Sequence, residues 1–112
     1  MPFFRNDVIV VKFPFASSTI YKARPAVVLS SEVYNLNRHR TLLIMAISSK
    51  IDTALPFEYS IEAWREAGLL KPSVFKAAIA TIEEAYVIEK IGTLGKKDAR
   101  KLKELLSQII CT

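Results

Sequence analysis

Apolar residues fall in blocks along the chain, separated by polar connections. Residues 7–13 (Asp-Val-Ile-Val-Val-Lys-Phe) are rich in β-branched side chains and predict a strand, which Pro14 ends or borders. A polar connection follows over 16–23. Residues 24–30 (Arg-Pro-Ala-Val-Val-Leu-Ser) predict a second strand, with Arg24 pushed toward the extended region by the proline after it. Residues 32–40 read as another polar connection. Residues 41–49 are nearly all apolar, which fits a strand covered on both faces, although pattern alone also admits a helix. A short helix is expected over 60–67, with Ser60 as its N-cap and Gly68 as its stop. Residues 73–83 and 85–91 read as two more strands, and the pattern breaks over 92–95. Residues 96–110 form the clearest helix. There Ala99, Leu102, Leu105, Leu106, Ile109 and Ile110 recur at helical spacing, with Lys97, Arg100, Lys101 and Glu104 between them.

Strands, one short helix, strands and a terminal helix make a mainly β (α+β) protein. The order predicts a small, strongly bent antiparallel sheet or barrel with the last helix packed against it. At 112 residues and 51% hydrophobic content, one domain over 1–112 with a single core is expected, and the composition argues against disorder. No internal repeat, low-complexity segment or linker interrupts it.

The formal charge of +5 is unevenly spread. Residues 1–50 carry seven basic and two acidic groups (+5), residues 51–90 four and seven (−3), and residues 91–112 five and two (+3). A basic N-terminal half suits a polyanionic partner, as it also suits an ordinary solvated surface. One cysteine, Cys111, leaves no intramolecular disulfide, which fits a reducing compartment. No apolar run reaches the roughly 18 residues that span a bilayer, and no signal-peptide pattern opens the chain. A soluble, cytoplasmic protein is expected.

Candidate chemistry is sparse. His39 and Cys111 stand apart, as do Asp7 and Asp52, so no zinc spacing exists. The only glycines, Gly68, Gly92 and Gly95, make no phosphate loop. Nothing points His39 to triad partners, and a two-histidine ribonuclease is excluded by its being alone. Arg24, between a polar segment and a stiff strand, presents a planar fork suited either to phosphate oxygens or to a surface salt bridge. Ser48 and Ser49 end the most apolar strand, where a hydroxyl either donates to a phosphate or belongs to a turn with Lys50 and Asp52. Tyr21, Lys22 and Arg24, and again Tyr34, Arg38, His39 and Arg40, interleave aromatic and basic groups in the manner of single-stranded nucleic-acid sites.

Three segments together, Asp7-Val8-Ile9-Val10-Val11, Arg24-Pro25-Ala26-Val27-Val28-Leu29-Ser30 and Ala46-Ile47-Ser48-Ser49, resemble the MazF/PemK toxins of bacterial toxin–antitoxin modules. Gly68-Leu69, Pro72-Ser73-Val74 and Ile91-Gly92-Thr93-Leu94 before the last helix extend the likeness over nearly the whole chain. The resemblance implies an SH3-like barrel with a C-terminal helix, a homodimer, and metal-independent, cofactor-free cleavage of single-stranded RNA. It also implies a small antitoxin whose tail covers the RNA groove. The family's arginine maps onto Arg24 and its strand-end threonine onto Ser48. Ser49, Lys22, Tyr21, Lys76 and Arg38 are the further candidates for RNA contact.

The chain departs from the family pattern in three places. Asn6-Asp7 replaces Gly-Asp before the first strand, and Ser48 replaces the threonine. Ala80-Thr81-Ile82-Glu83 stands where many members carry Arg-Thr-Ile-Asp, so a second arginine is missing; Lys76, nearby in sequence, is the candidate to replace that charge. Two other readings remain at this stage. One is a toxin of the same barrel that binds DNA gyrase through its end, residues 109–112, without chemistry. The other is a relative that binds RNA without cutting it.

Overall fold

The structure, a computed structural model, describes residues 3–13, 22–37, 40–50 and 57–110. Six strands and two helices run in the order β1 (Asp7–Phe13), β2 (Lys22–Val28), α1 (Glu32–Asn37), β3 (Thr41–Ser48), β4 (Tyr59–Ser60), β5 (Val74–Glu83), β6 (Val87–Thr93) and α2 (Lys96–Ile110), with a 3-10 turn at Glu84–Tyr86. They form one antiparallel sheet in the order β4-β5-β3-β2-β1-β6. The segment leaving β4 at one edge touches β6 at the other: a β-carbon built on Gly92 would lie 2.1 Å from the Ala67 carbonyl oxygen. The sheet is thus curled into the barrel-like α+β domain that the sequence predicts.

Side chains alternate across the strands, and both faces are apolar. One face carries Val8, Val27, Met45, Ile47 and Phe75, and α2 packs on it through Leu102, Leu105, Ala99, Leu106 and Ile109. The other carries Ile9, Val11, Ala26, Val28, Leu42 and Ile44. Residues of β3 alternate between the two clusters, which is why the 41–49 run lacks a polar stripe. Ile110 alone of the predicted helix face stays exposed, at 52%.

Several local readings need correction. β2 starts at Lys22, because Phe13 and Lys12 of β1 pair with Lys22 and Ala23 and draw the hairpin out; Leu29 and Ser30 lie beyond the strand. Part of the supposed connection over 32–40 is helix α1, opened by Ser31, whose hydroxyl accepts the Tyr34 N–H at 3.3 Å. Asn35 pins this helix from within: it accepts from the buried Ser30 hydroxyl and donates to the Phe3 carbonyl at 2.8 Å. The helix expected over 60–67 is instead a set of turns, and Ser60 is no cap but a β4 residue paired with Val74. The capping role falls to Asp98 of α2, 1% exposed, which accepts the N–H groups of Glu62 and Ala63 at 2.9 and 3.0 Å. Gly68 does end that segment, at φ +91°. Residues 84–86 are a 3-10 turn before β6, and β6 runs through Gly92 rather than breaking there.

Asn6 takes the place of the expected glycine without loss of the turn. Its φ is 74°, a left-handed conformation that asparagine tolerates, and its N–H and C=O bond Val28 and Leu94. The neighbouring Asp7 is 2% exposed and held by the Phe4 N–H at 2.8 Å and the Lys90 ammonium at 3.2 Å. It anchors the start of the barrel.

Candidate functional site

β2 and β3 pair in a register that joins Ala26 to Ala46, Val27 to Met45 and Val28 to Ile44. Arg24 and Ser48 lie two residues beyond the Ala26–Ala46 pair on their respective strands. Both line one cleft of about 900 Å³ at this end of the sheet. The shared cleft required for a joint grip on one phosphodiester is therefore present. Its floor is apolar, with Val10, Ile47, Leu69 and Ile91. Lys22, Ser49 and Lys50 line it on the β2–β3 side, Leu70 and Lys71 on the segment after Gly68, and Glu89 on β6.

Arg24 is exposed at the first part of β2, its backbone paired with Val11. The proline after it keeps the backbone extended, and the β1 pairing fixes where the guanidinium starts from. Ser48 is half-buried at the end of β3, paired to Val74 of β5, and its hydroxyl oxygen accepts the Lys50 N–H at 3.0 Å. The turn reading of this serine is thus correct. It does not exhaust the group, because the hydroxyl proton remains available to donate. Among the described residues lining the cleft, four are cationic, Lys22, Arg24, Lys50 and Lys71, and one is a carboxylate, Glu89. Such a lining attracts an anionic backbone and fixes it by charge-assisted hydrogen bonds.

Lys22, Arg24, Ser48 and Ser49 are brought together. Lys76 is not among the residues lining the cleft; its ammonium donates to Glu58 at 2.6 Å, and that carboxylate is 7% exposed. Tyr21, Arg38 and His39 lie outside the described residues. Ala80 packs against the second core cluster, and Glu83 lines a different cavity of about 420 Å³ beside Arg40 and Glu84. Neither end of the Ala80–Glu83 segment lines the Arg24 cleft. Sequence reasoning missed Lys50, Leu70, Lys71 and Glu89. Lys50 and Lys71 adjoin segments that carry the family likeness, so adjacency was a usable signal. Glu89 sits in an unremarkable strand and gave none. Among the described residues no three of His, Cys, Asp and Glu gather as a metal site, and no helix is long and apolar enough to cross a membrane.

The wall that carries Leu70 and Lys71 is braced from behind. Besides the Asp98 cap, Lys101 and Lys97 donate to the exposed Glu62 carboxylate at 2.8 and 2.9 Å. The hydrogen bond from Lys101, and then that from Lys97, holds the Glu62 carboxyl at about 2 instead of its ordinary 4.5.

Comparison with known proteins gives a consistent result. A family model described as PemK-like, MazF-like toxin of type II toxin–antitoxin system matches residues 4–110. The MazE–MazF complex from Deinococcus radiodurans has a chain with TM-score 0.80 at 14% identity, covering 100% of this chain and 99% of that one. Mycobacterium tuberculosis toxin MazF-mt6 gives 0.73 at 22% identity, over 91% and 93%. An endoribonuclease in complex with its cognate antitoxin, from Mycobacterial species, gives 0.72 at 14% identity, over 96% and 91%. At these identities the structural likeness speaks for the fold. No curated protein sequence matches.

Proposed function

The chain belongs to the PemK-like, MazF-like toxin family of type II toxin–antitoxin systems, and from that premise we propose that it is an endoribonuclease cutting single-stranded RNA in the Arg24–Ser48 cleft. The observation that carries this reading is the convergence of Arg24 and Ser48, from two strands, on one basic cleft.

The RNA itself supplies the nucleophile. The 2′-hydroxyl attacks the adjacent phosphorus, and the bond to the 5′-oxygen breaks. Negative charge grows on the non-bridging oxygens as this happens. The Arg24 guanidinium faces that charge and stabilises it more in the transition state than in the ground state. Ser48 donates its hydroxyl proton to the same phosphate. Lys22, Ser49, Lys50 and Lys71 hold the flanking backbone, and the apolar floor accepts a base. The products are a 2′,3′-cyclic phosphate and a 5′-hydroxyl, and no metal enters the step. The partner of the module is an antitoxin protein that competes for this cleft, and the working form is a homodimer. Solved complexes of relatives, MazE–MazF and an endoribonuclease with its cognate antitoxin, support a protein partner of this kind.

The test is incubation of the purified protein with a long mixed-sequence RNA in excess chelator, followed by end-group analysis. Cleavage with cyclic phosphate ends is expected. Intact RNA, or cutting of a substrate whose scissile 2′-hydroxyl is replaced by hydrogen, would falsify the mechanism.

A further inference from the structure

Attack by the 2′-hydroxyl needs a group to take its proton, and the residues so far assigned cannot do this. The heads of Arg24, Lys22, Lys50 and Lys71 are donors with no acceptor lone pair, and Ser48 and Ser49 are alcohols. Among the described residues lining the cleft, one side chain is a carboxylate: Glu89 of β6. It is exposed and forms no ion pair among the described residues.

Its position suits the task. Glu89 pairs with Val10 of β1, and Val10 pairs with Pro25 of β2, so the three lie in one row across the sheet. Directly opposed residues share a face. With strands about 4.8 Å apart, the Glu89 and Pro25 backbones stand about 10 Å from each other, with half-buried Val10 between; Arg24, one residue before Pro25, pairs with Val11 and reaches the same cleft from the neighbouring row. Glu89, Arg24 and Val10 all line the one cleft, whose volume of about 900 Å³ takes a ribose and its phosphate. The row reaches this geometry because β6 slips in register between Val10 and Val11, where Glu89 and Val87 are the successive partners.

Resting on the nuclease reading above, we infer that Glu89 is the general base of the reaction. The proton of the 2′-hydroxyl passes to the Glu89 carboxylate as the bond from the 2′-oxygen to phosphorus forms. The bond from phosphorus to the 5′-oxygen breaks, the leaving oxygen takes a proton from solvent water, and Glu89 returns its own to solvent. The other charged groups lining the cleft are Lys22 and Arg24 from β2, Lys50 after β3 and Lys71 from the segment after Gly68; β1 contributes only Val10 to the lining.

Single-turnover cleavage is measured across a pH series for the wild type, Glu89→Gln and Glu89→Asp, with binding of a 2′-deoxy probe measured alongside. The expected result is a fall of about 10²–10⁴-fold for Glu89→Gln, with the probe bound at least as well and the acid limb of the pH profile gone. Glu89→Asp is expected to keep a displaced acid limb at reduced rate. A Glu89→Gln protein that cuts at the wild-type rate, or more slowly with an unchanged pH profile, overturns this inference alone. Should Glu89→Gln fail to bind the probe, Glu89→Asp decides: an acid limb left where the wild type has it overturns the inference. A wild-type protein that leaves RNA whole overturns the nuclease reading and this inference together.

Discussion

Gly68 and Gly92 lie against each other's backbones: a β-carbon on Gly68 would sit 2.0 Å from the Ile91 carbonyl oxygen, and one on Gly92 2.1 Å from that of Ala67. Both obstacles are main chain and cannot swing aside. The contact joins the cleft wall to the edge of the sheet. Gly68→Ala and Gly92→Ala are therefore expected to cost about 1–3 kcal/mol or more of stability. Gly95→Ala, where an added β-carbon meets nothing within 4 Å, is expected to cost under about 1 kcal/mol. Urea unfolding of the three variants checks the contrast, and equal midpoints would remove the tight contact from the account.

Arg24→Ala is expected to lower cleavage by about 10²–10³-fold, the usual size for a lost donor at a developing oxyanion. Its exposure predicts little change in unfolding midpoint. Arg24→Lys is expected to recover little, because an ammonium lacks the two-pronged geometry. Ser48→Thr is expected to stay active and Ser48→Ala to lose rate. Single-turnover kinetics beside thermal melts separate these outcomes; a fully active Arg24→Ala would remove the guanidinium from the site.

Lys71 and Lys76 are expected to part company. Lys71 lines the cleft, so Lys71→Ala is expected to weaken RNA binding and flatten the salt dependence by about 0.7 in log–log slope per lost phosphate contact. Lys76→Ala strands the mostly buried Glu58 carboxylate, whose Oε1 has no hydrogen-bond partner among the described residues. Its expected effect is about 1–3 kcal/mol of stability with RNA affinity kept. Titrations at several salt concentrations, with unfolding curves for each variant, decide whether Lys76 belongs to the interface.

The Glu62–Lys101–Lys97 cluster carries a pH signature. Its carboxyl is held near 2 in the fold against 4.5 for the free group. Stability from this lowered value is present above pH 4.5 and is lost as pH falls toward 2. The gap between wild type and Glu62→Gln is accordingly expected to be small, since the site is exposed, and to close over that interval. A gap unchanged at the acid end would mean that the pair is not its source.

What local pattern can encode, the sequence shows. β1, β3 and α2 are legible because their own side chains supply the alternation or the helical stripe. The segment containing α1 is not, because Val33, at 71% exposure, and Leu36, at 52%, face no core and make no stripe. Its cohesion comes from Ser30, Asn35 and Phe3, the last 32 positions away from Asn35. The turn after β4 is misread as a helix for a related reason. Ser60 looks like a cap, yet the cap is Asp98, 36 positions from Glu62. Within the site, Arg24 and Ser48 are legible through family likeness. Glu89 is not, since its place in the cleft depends on a register slip between strands far apart in sequence.

A sheet oily on both sides has an alignment problem. Slide β3 by one place and Leu42 to Ile47 still find grease whichever way they turn, so aversion to water barely penalises the error. The right frame must be enforced where shape or charge admits a single neighbour, and the chain concentrates such points at Asp7, Ser30 and Gly92. Damage at those three places should yield collapsed, wrongly threaded molecules rather than open chains.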